Sequence, residues 1–259
     1  MIKAIYRKLD DYFFNSSIQK ARHARETQKN LKLLEDGLGY KYVVHYKKDQ
    51  SNRLSELCDK YGSDKGEISP DNNPYNWRSH TYADFYSSLF PDPRKVQKVY
   101  ENGIGTNNID VESNMTSQGK PGASLRVWRD FFPNAIIYGT DIDEKILFEE
   151  INIKTFQLDQ TIPEQIKNFW KDLGEDDFDF MLDDGLHTFD AGVSLFNNSI
   201  DYLSQNGIYV IEDVLLEDLY KYKSFFNEKD YFVQYVTLFR PDEVLCDNSI
   251  VVVRKKKPI

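Results

Sequence analysis

The chain has 259 residues, 40% of them hydrophobic, enough to bury a sizeable core in one α/β domain with an extension. Its 42 acidic against 33 basic residues leave a formal net charge of −9, the wrong sign for a general nucleic-acid binder. Two distant cysteines, Cys58 and Cys246, exclude a disulfide framework and a zinc ribbon, and no apolar run reaches membrane-spanning length.

Residues 1–50 read as a helical N-terminal extension. Ile5, Leu9, Tyr12, Phe13 and Ile18 mark an interrupted apolar stripe, and residues 19–35 are dense in charge. Asp10 and Asp11 interrupt the apolar pattern, so the segment is no signal peptide, and a cytoplasmic location is expected. The extension is either a solvated helix or an oligomerisation arm that would suit a homo-oligomer. Residues 51–95 read as a helical lid carrying Leu54, Leu57, Tyr61, Tyr82, Phe85, Tyr86, Leu89 and Phe90, closed by Pro91 and Pro93.

From residue 96 to the end, β-rich runs alternate with helical segments. Strands are expected over 96–100, 135–139, 154–158, 178–182 and 208–211, with helices over 124–132, 161–173, 190–203 and 216–227. That order specifies a doubly wound, mostly parallel sheet covered on both faces. Residues 231–238 and 250–253 have no helix between them and suit an antiparallel hairpin closing the sheet edge.

Ligands of such sheets bind beyond the carboxyl ends of the strands. After the first strand stands Glu101-Asn102-Gly103-Ile104-Gly105, whose glycines permit a sharp turn and close backbone approach to a ligand. A third glycine is missing, since position 108 is Asn, so a plain tight turn is the bland alternative. Asp141 after the second strand can accept ribose hydroxyls, and Asp159-Gln160 after the third can pair with an adenine edge. Successive acidic strand ends without a basic clamp favour a nucleoside without phosphates.

The fourth and fifth strand ends carry Asp183-Asp184-Gly185-Leu186-His187 and Glu212-Asp213. Carboxylates gathered on neighbouring strand tips repel one another unless a cation lies between them. Oxygen ligands without a thiolate select Mg²⁺ over zinc. His187, on the same rim, is suited to act as a general base, with local helix capping as the bland reading.

In chain order, Tyr61-Gly62-Ser63-Asp64-Lys65-Gly66, His80-Thr81-Tyr82, Gly122-Ala123-Ser124-Leu125-Arg126-Val127-Trp128, Tyr138 to Asp143, Asp183 to His187 and Val210 to Asp213 together resemble the class I S-adenosylmethionine-dependent methyltransferases. Within these the pattern is similar to the Mg²⁺-dependent sugar O-methyltransferases of macrolide tailoring and of bacterial capsule and surface-polysaccharide biosynthesis. The resemblance covers roughly residues 54–255 and implies a seven-stranded Rossmann-like methyltransferase fold.

It further implies that Asp184, Glu212 and Asp213 hold Mg²⁺, and that His187 with Asp184 forms the catalytic centre. Glu101, Gly103, Gly105, Ser124, Arg126, Asp141, Asp143, Asp159, Gln160 and Asp183 would bind S-adenosyl-L-methionine, with Lys65, His80 and Tyr82 closing over it. Leu186 departs from the small residue usual between the glycine and the histidine, which would narrow the pocket.

The function implied is methylation of a sugar hydroxyl, on a nucleotide-activated or surface-glycan acceptor, with no nucleic-acid partner. A catechol-type or phosphoramidate methyltransferase and a non-catalytic scaffold of the same fold are the alternatives.

Overall fold

A computed structural model describes residues 41–45, 52–69, 73–75, 77–239 and 247–256, together with the exposed helical positions Ala21, Arg22, Arg25 and Lys29. The rest of the expected N-terminal helical extension lies outside the described residues.

The described chain runs β1 (Lys41–His45), α1 (Arg53–Tyr61), α2 (Tyr82–Leu89), β2 (Lys98–Asn102), α3 (Ala123–Phe131), β3 (Ile136–Asp141), β4 (Glu149–Glu150) and β5 (Ile153–Gln157). It continues with α4 (Pro163–Leu173), β6 (Phe178–Asp183), α5 (Phe189–Ser199), β7 (Leu203–Ile211), α6 (Asp218–Phe226), β8 (Tyr231–Phe239) and β9 (Ser249–Lys255).

The strands form one nine-stranded sheet in the order β1-β8-β9-β7-β6-β2-β3-β5-β4. Strands β5, β3, β2, β6 and β7 are parallel neighbours, and β9 enters antiparallel between β7 and β8. The seven expected strands are present. Two more extend the edges: the short β4, and β1, which pairs parallel with β8. Residues 41–45 were expected to be helical. Their sequence, KYVVH, is aromatic and β-branched, which favours a pleated edge strand instead.

Alternation along the strands fills two cores. Val99, Phe180, Leu182, Val210 and Val252 face α1, α2 and α3, where Leu57, Tyr86, Leu125 and Trp128 are buried. Tyr100, Met181, Tyr209 and Val251 face α4, α5 and α6, packing with Trp170, Phe196 and Tyr222. Where strands are buried on both faces they read as continuous apolar runs, as Phe180-Met181-Leu182 of β6 and Ile208-Tyr209-Val210-Ile211 of β7 do.

Local chemistry sets the helix ends. In α1, Asn52 Oδ1 accepts the Ser55 N–H while Ser55 Oγ accepts the Asn52 N–H, and Gly62 at φ 75° closes the helix. Pro163 opens α4 and Gly174 ends it in the left-handed region. Thr188 caps α5 directly after His187, so the helix start fixes where that histidine leaves the sheet. Among the described residues, no helix is long and apolar enough to cross a membrane.

Candidate active site

The parallel ladder continues one residue past the strands. Asp184 N–H donates to Asn102 O, Gly103 N–H to Thr140 O and Glu212 N–H to Asp183 O. The first residue after β2, Gly103, is thereby held to the neighbouring strand β3. Gly103 has φ 83°, and a Cβ there would fall 2.0 Å from the Asp184 carbonyl oxygen, so this position is closed to any side chain.

Above the strand ends lies a cleft of about 700 Å³. Gly103, Gly105, Ser124, Asp141, Asp159 and Gln160 line one end of it. Lys65, His80, Asp184, His187 and Asp213 line it too, and residues 110–115 contribute further wall.

Asp184, His187 and Asp213 form the cluster of possible metal ligands, with one atom from each lying within 4.8 Å of the others. His187 Nε2 is 3.3 Å from Asp184 Oδ1 and 3.6 Å from Asp213 Oδ2. The Nε2 atom is buried and meets no hydrogen-bond geometry, while the side chain as a whole is half-buried. Burial disfavours the imidazolium, but the Asp213 and Asp184 charges outweigh it and raise the His187 pKa to about 10. His187 and Asp213 both have positive φ, at 58° and 52°, as does Thr81 at 64° between His80 and Tyr82. Each such non-glycine residue costs on the order of 1–3 kcal/mol, and strain of this kind concentrates at functional sites.

Glu212 was expected beside Asp213 on the metal. Its Oε1 accepts from Tyr86 OH at 2.5 Å, and its Oε2 accepts from the Lys65 ammonium. It is fully buried behind the cluster, and burial raises its pKa. Adjacent residues leaving a strand point in opposite directions, which separates Glu212 from Asp213 just as it separates Asp183 from Asp184.

Lys65, His80 and Tyr82 were expected to close over the cofactor. The structure turns them to the acids. Lys65 Nζ donates to Asp184 Oδ2 at 2.6 Å and lies 3.5 Å from Glu101 Oε1. His80 Nδ1 lies 2.9 Å from Asp213 Oδ1, and Tyr82 OH donates to the same oxygen at 2.8 Å. Lys65 and His80 still line the cleft, whereas Tyr82 does not.

Other expected cofactor residues divide similarly. Asp141 accepts backbone N–H groups from Ile104 on Oδ2 and from Asp143 on Oδ1, each at 3.0 Å, and still faces the cleft. Glu101 is buried out of the cleft, where its Oε2 accepts from Trp128 Nε1; burial, partly offset by Lys65, pushes its pKa up to about 7. Asp143 accepts from Thr106 Oγ1 and from Lys145 N–H, capping a short turn outside the cleft. Arg126 points outward to Glu150, 2.7 Å away, and to the Phe148 ring, because it stands two residues from Ser124 on α3. Asp183 is buried beneath the cleft among Gln160, Asn102 and the Gly185 N–H; burial raises its pKa to about 6.

Several contributors were not singled out from the sequence. Tyr86 and Trp128 looked like core residues, and only their polar tips on Glu212 and Glu101 reveal more. Trp77 stacks on Tyr75 with centroids 4.7 Å apart and donates to Asp64 at the cleft wall. An aromatic residue in a polar loop was the available signal.

The sheet order, the Gly103 loop and the cleft above it define a Rossmann-like methyltransferase fold. The MycE methyltransferase of the mycinamycin biosynthetic pathway, solved with Mg and SAH, shares this fold at a TM-score of 0.58, with 23% identity over 80% of this chain and 56% of that one. Its complex with Mg, SAH and mycinamycin VI gives a TM-score of 0.59 at 22% identity. In sequence, the chain is 33% identical over 136 residues to mycinamicin VI 2''-O-methyltransferase of Micromonospora griseorubida, covering 52% of this chain and 32% of that protein. It is 29% identical over 162 residues to the 8-demethyl-8-alpha-L-rhamnosyl tetracenomycin-C 2'-O-methyltransferase of Streptomyces olivaceus, covering 62% and 37% respectively. The chain thus spans about a third of the length of these curated relatives. No protein-family model matches it.

Proposed function

We propose that the chain is an S-adenosylmethionine-dependent O-methyltransferase acting on a sugar hydroxyl with Mg²⁺. The observation that carries this reading is one continuous cleft running from the Gly103 loop to His187, Asp184 and Asp213. The relatives named above are called O-methyltransferases, one of mycinamicin VI and one of a rhamnosyl tetracenomycin-C, which supports a glycoside acceptor.

The residues fit both groups. Asp184 and Asp213 offer hard oxygens on either side of His187 Nε2, a donor set suited to Mg²⁺ held by two carboxylates. Asp141, Asp159 and Ser124 line the donor end, and the spare lone pairs of Asp141 can accept ribose hydroxyls. When bound, the donor supplies a methyl group on a positive sulfur and Mg²⁺ supplies charge for the developing alkoxide.

His187 Nε2 is placed to take the proton of an acceptor hydroxyl that would receive the methyl group. His187 must be neutral to do so. The carboxylates that hold it protonated are those a divalent cation would engage, so metal binding and base activation belong together.

Asp110, Glu112, Asp184, Asp213 and Asp247 line the cleft against the cations Lys65 and Lys120, an acidic balance that favours an uncharged glycoside over a nucleotide-activated sugar. The surface-glycan setting expected from the sequence finds no parallel in the names of the relatives.

The test is a mass-spectrometric screen for gain of one methyl across glycosides and nucleotide sugars, with donor and Mg²⁺ supplied. His187→Ala is expected to lower turnover by about 10²–10⁴-fold while S-adenosylhomocysteine still binds. Full activity in EDTA would remove the metal from the reading. Failure to bind S-adenosylhomocysteine at all would favour a non-catalytic scaffold.

A further inference from the structure

Gln160 sits at the donor end of the cleft, where an adenine contact was expected, yet its side-chain amide is committed elsewhere. Its Oε1 accepts from Leu186 N–H at 2.9 Å and from Asn102 Nδ2 at 2.7 Å. Its Nε2 donates to Asp183 Oδ1 at 3.1 Å. The residue is 6% exposed, so these bonds form away from water and each is costly to leave unmade.

Leu186 immediately precedes His187, whose φ of 58° is unfavourable for a histidine. Something must hold that turn. Asp183, in turn, accepts the Gly185 N–H at 3.3 Å. Gly185 explains itself in the same arrangement: a Cβ there would stand 1.8 Å from Gln160 Oε1 and 2.4 Å from Asn102 Nδ2. The glycine leaves the space that the Gln160 amide fills.

We infer that Gln160 is a positioning residue for His187: it clamps the Asp184–His187 turn through Leu186 N–H, and its side chain does not read the adenine. This deepens the function proposed above and rests on His187 being the base. It links the donor end of the cleft to the base by one rigid side chain, so that the imidazole is aimed before the acceptor arrives.

Gln160→Met, close in shape but without the amide, tests it. The expected results are faster exchange of the Leu186 amide by about tenfold or more, S-adenosylhomocysteine affinity changed by less than about tenfold, and turnover at saturating donor lowered about 10²-fold. Gln160→Asn, which keeps an amide but withdraws its reach, gives the same readouts as the Met variant if that protein does not fold. Unchanged Leu186 exchange overturns the inference. So does weakened S-adenosylhomocysteine binding with turnover intact at saturating donor, the signature of an adenine contact. Retained turnover in His187→Ala would sink the base assignment alone, because amide exchange and S-adenosylhomocysteine affinity still decide the clamp.

Discussion

Lys65 Nζ lies 2.6 Å from Asp184 Oδ2 across 119 positions of sequence, and the same ammonium also pairs with Glu212. With a side chain only 5% exposed, it is a buried cation serving carboxylates from adjacent strand tips. Lys65→Met leaves those acids buried without their partner. Breaking a buried pair in this way is expected to cost about 3–5 kcal/mol, read as a lower urea midpoint of the metal-free protein. An unchanged midpoint would show that Lys65 is not what neutralises them.

The two histidines of the cluster set a pH dependence. His80 and His187 are both raised from 6.5 to about 10; burial opposes the shift and Asp213 drives it. The folded chain therefore holds these protons more tightly than the unfolded chain. Their stabilisation is complete below pH 6.5 and is lost as pH rises towards 10. Denaturant titrations of the metal-free protein are expected to show that decline. Saturating Mg²⁺ is expected to lower the His187 titration seen by NMR. A His187 titrating near 6.5 without metal would contradict the electrostatics described here.

Tyr86→Phe removes the hydroxyl that donates to Glu212 Oε1 while keeping the ring in its core. The oxygen left without that donor is expected to cost about 1–3 kcal/mol, measured by thermal or urea unfolding. Phe at this position has nothing to repair the loss, since both sites are fully buried.

Gly185→Ala forces the new methyl against Gln160 Oε1. Overpacking of about 1–3 kcal/mol is expected, together with a displaced Leu186–His187 turn visible in a crystal structure of the variant. Wild-type geometry in that crystal would mean the Gln160 amide yields freely.

Much of the architecture was legible because alternating β and α patterns dictate a parallel sheet, and acids and glycines cluster where its strands end. The direction of each side chain was less legible. Asp183 and Asp184 are neighbours, yet one is buried beneath the cleft and the other faces it. Strand alternation contained that information, and it also separates Glu212 from Asp213. Arg126 and Ser124 could likewise have been told apart by their spacing on α3. Tyr82 and Tyr86 could not: their apolar rings satisfied the pattern of a packed helix, and only the tertiary fold brings their hydroxyls to Asp213 and Glu212. Strand β1 was missed because its five residues follow a long charged segment and pair with β8, almost two hundred positions later, so nothing local showed a partner strand.

Lys65, His80, Tyr82 and Tyr86 all arise from the stretch preceding the parallel sheet, and each grips an acid at a strand tip. The order of assembly follows. A fragment starting at β2 would keep the glycine loop and His187, yet leave Glu212 without Lys65 and Tyr86, and Asp184 and Asp213 with His187 as their remaining cation. The acidic rim is therefore completed only when that earlier stretch docks, and a polypeptide caught before docking would carry the sheet without its finished cluster.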